Sequence, residues 1–273
     1  MTLAVGIDVG GTKIAGGLVD TATGLLEARF ERVTRPERPA SDVLDDCVAM
    51  AQRLTAARSN VPIGIGVCEL VDNEGHTQSA QTIDWRTTDL AAAFARIGPA
   101  VIESDVRAAA IAEARFGGGR GVDQLLFVTV GTGISCCLVL HGRAYEGARG
   151  NAICFGAPPV ENAASGLALA AAGDRPWAEE VLADPSLDGV VKDAAAALGA
   201  GLAWLVNALD PGKVVIGGGL GLVDRYRELA VAAMRPMIFA DNTRDVPILP
   251  AELGADAGVI GAALAAVDQP RSR

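Results

Sequence analysis

Residues Ala4 to Val19 read Ala4-Val5-Gly6-Ile7-Asp8-Val9-Gly10-Gly11-Thr12-Lys13-Ile14-Ala15-Gly16-Gly17-Leu18-Val19, two apolar, β-prone runs on either side of a glycine turn. This pattern predicts a hairpin whose tip carries no side chains to keep another molecule away from the backbone. Successive amides in such a turn form a concave anion site; Thr12 adds a hydroxyl, and Asp8, at the strand end, offers a carboxylate to magnesium or its water. A tight hairpin with no ligand accounts for the same residues, and the P-loop signature is not met, because Lys13 follows the threonine instead of preceding it.

Recurrence favours a ligand. Leu125 to Val130 runs into Gly131-Thr132-Gly133, and Lys213 to Ile216 runs into Gly217-Gly218-Gly219. In an α/β protein ligands gather where strands end and backbone amides are free, so three such ends suggest one extended polyphosphate lying across several loops.

The chain has 273 residues, half of them hydrophobic, enough for one large or two modest domains with a substantial core. Its 23 basic residues against 33 acidic ones give a net charge of -10, which opposes attraction to nucleic acid or an anionic membrane. No signal-peptide pattern and no uncharged apolar run of membrane-spanning length is evident, so a cytoplasmic location is expected. Five cysteines (Cys47, Cys68, Cys136, Cys137 and Cys154) lack a C-x-x-C pair and read as small buried hydrophobes. The two histidines, His76 and His141, sit beside glycines in expected turns, leaving little material for a Ser-His-Asp or Cys-His mechanism.

In chain order, a third strand is expected over Leu25 to Thr34, then a helix from Ser41 to about Arg58 with Ser41 as its cap, and a strand over Pro62 to Val67. A helix over Asp89 to Arg96 and a strand over Ala100 to Glu103 follow. Ser104-Asp105 opens an alanine-rich helix to Phe116, where a helix N-cap is the ordinary role for Asp105. Strands at Leu125 to Val130, Ile134 to Leu140 and around Ala144 precede a mostly helical stretch from Glu161 to about Leu209. The chain closes with strands at Lys213 to Ile216 and Val246 to Leu249, and helices from about Leu222 to Met234 and from Asp256 to Val267. Both portions start with three strands and continue with helix and strand in alternation, as in a duplicated α/β unit that binds nucleotide in the cleft between its halves.

Several stretches together resemble the ROK (repressor, open reading frame, kinase) family over nearly the whole chain: the first hairpin, Glu103-Ser104-Asp105 with its helix, Val130-Gly131-Thr132-Gly133, Asn207 to Leu220, and Leu253 to Gly258. The resemblance implies an actin-like (ribonuclease H-like) ATPase fold of two similar α/β domains around a cleft. The smaller would span 1–105 plus about 256–273, the larger about 106–255. It further implies ATP with Mg2+, a sugar substrate, γ-phosphate transfer to a sugar hydroxyl and a homodimer. The chain begins at the kinase hairpin, which points to the kinase branch and not to the repressors with their added DNA-binding domain. Asp105 matches the family's base. Asp8, Gly10, Gly11, Thr12, Lys13, Gly131, Thr132 and Gly133 would serve the phosphates, and Gly217, Gly218 and Gly219 the adenosine.

On the sugar side the chain departs from the family. In the stretch G-A-N-G-x-A-G-E-x-G-H, which spans Asn151 here, the glutamate has become Cys154 and the histidine Ala157. The asparagine before the base has become Ser104, and a proline-glycine pair has become Cys68-Glu69. The family's zinc loop is missing, so no zinc is expected. Glu161 aligns with the next sugar-binding glutamate; Ser104, Asn151, Glu69 and Asp84 complete the expected substrate side. The resulting expectation is an ATP-dependent kinase of a hexose or of an amino or deoxy hexose. A weakly active sugar or nucleotide sensor of the same fold is the alternative.

Overall fold

The computed structural model describes residues 2–56, 58–155 and 159–268. The strands are β1 (Leu3–Val9), β2 (Lys13–Asp20), β3 (Leu25–Val33), β4 (Ile63–Val67), β5 (Ala100–Ser104), β6 (Gln124–Val130), β7 (Ile134–Leu140), β8 (Arg143–Ala144), β9 (Lys213–Gly217) and β10 (Ile248–Pro250). The helices are α1 (Ala40–Thr55), α2 (Leu90–Ala93), α3 (Asp105–Phe116), α4 (Glu161–Ala164), α5 (Gly166–Ala172), α6 (Ala178–Ala183), α7 (Asp188–Leu209), α8 (Asp224–Met234) and α9 (Ala257–Val267).

Two compact units result, one from Met1–Phe116, Glu146–Ala152 and Ala255–Arg273, the other from Gly117–Tyr145 and Ile153–Gly254. Their sheets run in the same order, β3-β2-β1-β4-β5 and β8-β7-β6-β9-β10. In each, an antiparallel meander supplies three strands, and two further strands lie parallel to its first. Both sheets are thus mixed, and the two units are built on one topology.

In the first unit α9 lies directly on the β1 and β4 backbones. Side chains on Gly6 or Gly64 would collide with the carbonyls of Val259 and Ala262, so the helix can settle only because those strand positions are bare. The core of this unit gathers Val5, Ile7, Ile63, Ile65, Val43, Trp85 and Phe94. The second unit is built on α7, whose Val191, Leu198, Leu202 and Val206 pack with Leu126, Val128 and Val214 of the sheet. The segment Pro185–Leu209 is long and apolar enough to cross a membrane by length and composition, but half of its most apolar window is buried inside the protein. Burial there matches a core helix.

Several boundaries differ from those read in the sequence. Ser41 lies inside the first turn of α1, which starts after Pro39 without a side-chain cap. The helix expected over Asp89 to Arg96 shrinks to α2, with Asp89 accepting from the Ala92 amide at 3.0 Å. The last strand occupies Ile248–Pro250, shifted toward the C-terminus. Cys47, Cys136 and Cys137 are buried as expected, Cys68 is part-buried, and Cys154 is exposed.

Candidate active site

The first unit carries two carboxylates at the C-terminal ends of β1 and β5, the parallel strands on either side of β4. Asp8, in β1, is in register with Gly66 of β4, and Gly66 with Glu103 of β5. Gly66 leaves the row between them bare: a Cβ there would stand 3.7 Å from both Asp8 Oδ1 and Asp105 Cα. Asp105 follows β5 directly at the start of α3, its carboxylate accepting from the Val106 amide at 2.6 Å. Asp8 reaches the first turn of α9, so closely that a side chain on Gly258 would collide with its carboxylate.

Both acids keep partial contact with solvent while protein surrounds them densely. Burial penalises the charged form and raises Asp8 to about 6, with the Lys13 ammonium pulling the other way. Burial first, and then the neighbouring charge of Asp8, raise Asp105 to about 7. Ser104 is buried beside it; its hydroxyl lacks a hydrogen bond of full geometry but still favours ionised Asp105. A solvent-reachable carboxylate with a proton affinity near neutrality suits a general base.

The turn after β1 is braced from behind. Gly10 N donates to Lys13 O at 2.9 Å, and the fully buried Thr34 donates its hydroxyl to Gly10 O at 2.6 Å and its amide to Thr12 O at 3.0 Å. Lys13 Nζ lies 3.4 Å from Glu31 of β3. With carbonyls held this way, the turn keeps a fixed shape.

In the second unit the turn after β6 is braced by α5. Gly131 N donates to Gly133 O at 2.9 Å, and the amides of Gly166 and Leu167 donate to Gly131 O and Thr132 O at 2.7 and 3.4 Å. The β9 turn lies against the same strand end: Gly221 N donates to Val130 O at 2.9 Å, and Leu222 N to Gly218 O at 3.0 Å. Gly218 has φ of +81°, and any side chain there would strike Val130 O, so only glycine fits. Two of the three glycine turns therefore stand side by side on the ends of β6 and β9. Gly219 faces open space. Glu161, opening α4, brings Oε1 to within 2.6 Å of where a Gly133 side chain would begin, placing its carboxylate beside that turn.

The remaining acids expected on the substrate side are engaged by the protein. Glu69 is buried and accepts from the Ser79 hydroxyl and from the amides of Gln81, Thr82 and Ile83 at 2.9, 2.6 and 3.0 Å. Asp84 is exposed and bound by Arg86 through two contacts of 2.8 Å, which hold its carboxyl down at about 2. Asn151 is exposed in the 146–152 segment, and Cys154 is exposed in the second unit. Ala157 lies outside the described residues.

Sequence reasoning missed Arg107. It is fully buried and donates to Glu103 Oε1 at 2.6 Å, to Gly150 O at 2.6 Å and to Val71 O at 2.9 Å, tying the 146–152 segment to β5 and to the chain after β4. Its four-residue spacing from Glu103 was the available signal. Thr34 gave none, because its partners lie more than twenty residues away.

No group of three or more His, Cys, Asp or Glu side chains among the described residues could hold a metal ion. Magnesium fits Asp8 in a different sense: the carboxylate is crowded by Asp105, and a cation brought in with a phosphate group would favour its ionised form.

The ROK family profile matches residues 4–269. The chain belongs to the ROK family. Within it, the chain is 30% identical to a glucokinase of Streptomyces coelicolor over 314 aligned positions, covering 96% of this chain and 97% of that enzyme. Those positions outnumber the residues of this chain, so the relative carries residues that this ROK member lacks. The chain is also 30% identical to an N-acetylmannosamine kinase of Yersinia pseudotuberculosis, covering 97% of this chain and 98% of that one. Among solved structures, a ROK glucokinase from Streptomyces griseus in complex with glucose and AMPPNP superposes with a TM-score of 0.82 at 29% identity, covering 98% of this chain and all of that one. The actin-like ATPase fold of the ROK kinases is therefore the fold of this chain.

Proposed function

We propose that this protein is an ATP-dependent sugar kinase that transfers the γ-phosphate to a hydroxyl of a hexose or of an amino or deoxy hexose. The observation that carries the reading is Asp105: a half-buried carboxylate at a strand end, beside Asp8, with its proton affinity raised to about 7. Kinship with glucokinases and N-acetylmannosamine kinases supports the sugar as acceptor.

In this reading Asp105 accepts the proton of the attacking hydroxyl as the oxygen–phosphorus bond forms. The amides of Gly10, Gly11 and Thr12, with the Thr12 hydroxyl and Lys13, hold phosphate oxygens. The turns at Gly131, Thr132 and Gly133 and at Gly217, Gly218 and Gly219 hold the rest of the nucleotide, bare backbone admitting phosphate and a flat base. Asp8 would hold magnesium through its water; the bound metal supplies charge to the phosphate oxygens. Glu161 and Asn151 would take sugar hydroxyls, with the buried Ser104 supporting Asp105, while Glu69 and Asp84 stay engaged by the protein. The cytoplasm, a homodimer, and a protein without zinc, nucleic-acid or membrane partners complete the proposal.

The identity of the sugar rests on the altered stretch. Cys154 is exposed where the family resemblance places a glutamate. A site that has lost a hydroxyl partner discriminates against sugars that need it by about 1–3 kcal/mol per unpaired group. The test is ADP release from ATP with a panel of hexoses, amino hexoses and deoxy hexoses. Turnover with a modified hexose in preference to glucose is expected. No turnover with any of them, while ATP still binds, would leave the sensor reading.

A further inference from the structure

Glu69 is an acid with no solvent-facing work. It is 3% exposed and meets four donors from one short stretch, residues 79–83. Three consecutive amides converging on one carboxylate fix a backbone as firmly as a strand pairing does. The stretch has no secondary structure beyond bends, so this carboxylate is its main anchor.

The anchored stretch is placed between two functional parts of the first unit. Thr82 Cγ2 stands 3.0 Å from where a side chain on Gly11 would begin, in contact with the proposed phosphate turn. Thr82 also lies beside the Cys68 side chain, and Cys68 follows Val67, which is in register with Ser104, the residue before Asp105. Thr82 thus spans from the phosphate turn to the strand end beside the base.

We infer that Glu69 is a positioning residue: it holds 79–83 so that Thr82 acts as a spacer between the Gly11 turn and Asp105, setting where an acceptor sugar can lie. The inference rests on the kinase reading for its substrate and on geometry for its mechanism. It departs from a role for Glu69 as a direct sugar ligand, since both carboxylate oxygens are already occupied by the protein.

The test has two readouts. In amide hydrogen exchange, Glu69→Ala should raise exchange at Gln81, Thr82 and Ile83 at least about tenfold, with β1 and α9 unchanged. In steady-state kinetics with the preferred sugar, it should raise the sugar KM at least about tenfold and the ATP KM less than about threefold, because the second unit's turns also hold the nucleotide. Loss of active protein alone would lower kcat without moving KM. Glu69→Gln, which keeps one acceptor oxygen for Thr82 and Ile83, should recover part of both effects. Thr82→Val, which exchanges the hydroxyl for a methyl group and leaves the Glu69 anchor intact, guards against misfolding of the first variant and should also raise the sugar KM. Unchanged exchange at 81–83 overturns the anchor. Raised exchange with an unchanged sugar KM in both variants overturns the spacer. A wild-type protein that turns over no sugar overturns the kinase reading and the spacer together, and the exchange result still decides the anchor.

Discussion

The two units share a strand order but not the chemistry at their strand ends. Where β1 ends in Asp8-Val9 before its turn, β6 ends in Thr129-Val130. Where β5 delivers Asp105, β10 ends in Pro250 and is followed by Ala251. One topology therefore presents two half-buried carboxylates at the strand ends of the first unit, where the second has glycine, threonine and backbone, with Glu161 of α4 the acid beside its Gly133 turn. Acids are needed where a proton or a cation must be handled; bare amides suffice where the ligand is already negative. The turns themselves are braced alike, by donors to their carbonyls, from Thr34 in one unit and from α5 in the other. In both, the brace leaves turn shape independent of the ligand, which is preorganisation.

The comparison breaks most visibly at its acidic half. Asp105→Asn should lower kcat by about two to four orders of magnitude, while ATP binding by calorimetry changes little, since the amide retains size and a contact to Val106 N but not the basicity.

Next in size is the buried pair that supports it. Arg107→Met leaves Glu103 buried without its main partner and releases the carbonyls of Gly150 and Val71, so chemical denaturation should show a loss of about 3–5 kcal/mol. In the second unit a comparable constraint falls on Gly218. Gly218→Ala should cost about 1–3 kcal/mol in stability, from the left-handed backbone and the contact with Val130 O, and should weaken ATP binding at the same time.

A graft sharpens the contrast further. Thr129→Asp places in β6 the acid that β1 carries one residue before its last; if the second unit works by leaving anions unopposed, the ATP Kd should rise about tenfold.

The smallest effect is a pH-dependent one. Asp105 is raised in the folded protein from an ordinary carboxyl value to about 7, so the folded state holds its proton more tightly than the unfolded chain. Stability should then fall as pH rises from about 4 to about 7 and stay lower above that. Asp105→Asn should be neutral near pH 4 and stabilising by about 1–2 kcal/mol at pH 8, discounted for the residue's partial solvent access.

Much of this contrast was legible in the sequence. The strand, glycine turn, strand pattern at Asp8 to Thr12 and at Val130 to Gly133 gave both meanders, and Asp105 stood out at a strand-to-helix junction. What was hidden depends on distant partners. Glu69 was read as a substrate-side acid because the donors that hold it arrive from residues 79–83, a stretch with no periodicity; Asp84, read the same way, is at the surface, held by Arg86. Arg107 went unnoticed because the carbonyls it binds come from the 146–152 segment and from Val71, neither of which a helical pattern can indicate. Local pattern reports strands and turns; it does not report which loop a buried side chain will hold.

The most direct test of the division between the units is the pH profile of kcat/KM for the preferred sugar, compared between wild type and Asp105→Asn. That quantity follows the ionisation of the free enzyme. The account predicts that wild-type kcat/KM rises with pH through an inflection near 7, as Asp105 becomes able to accept a proton, and that the residual activity of Asp105→Asn lacks this inflection. The same inflection in both proteins, or a wild-type profile flat from pH 5 to 8, would show that the first unit's carboxylate is not the base.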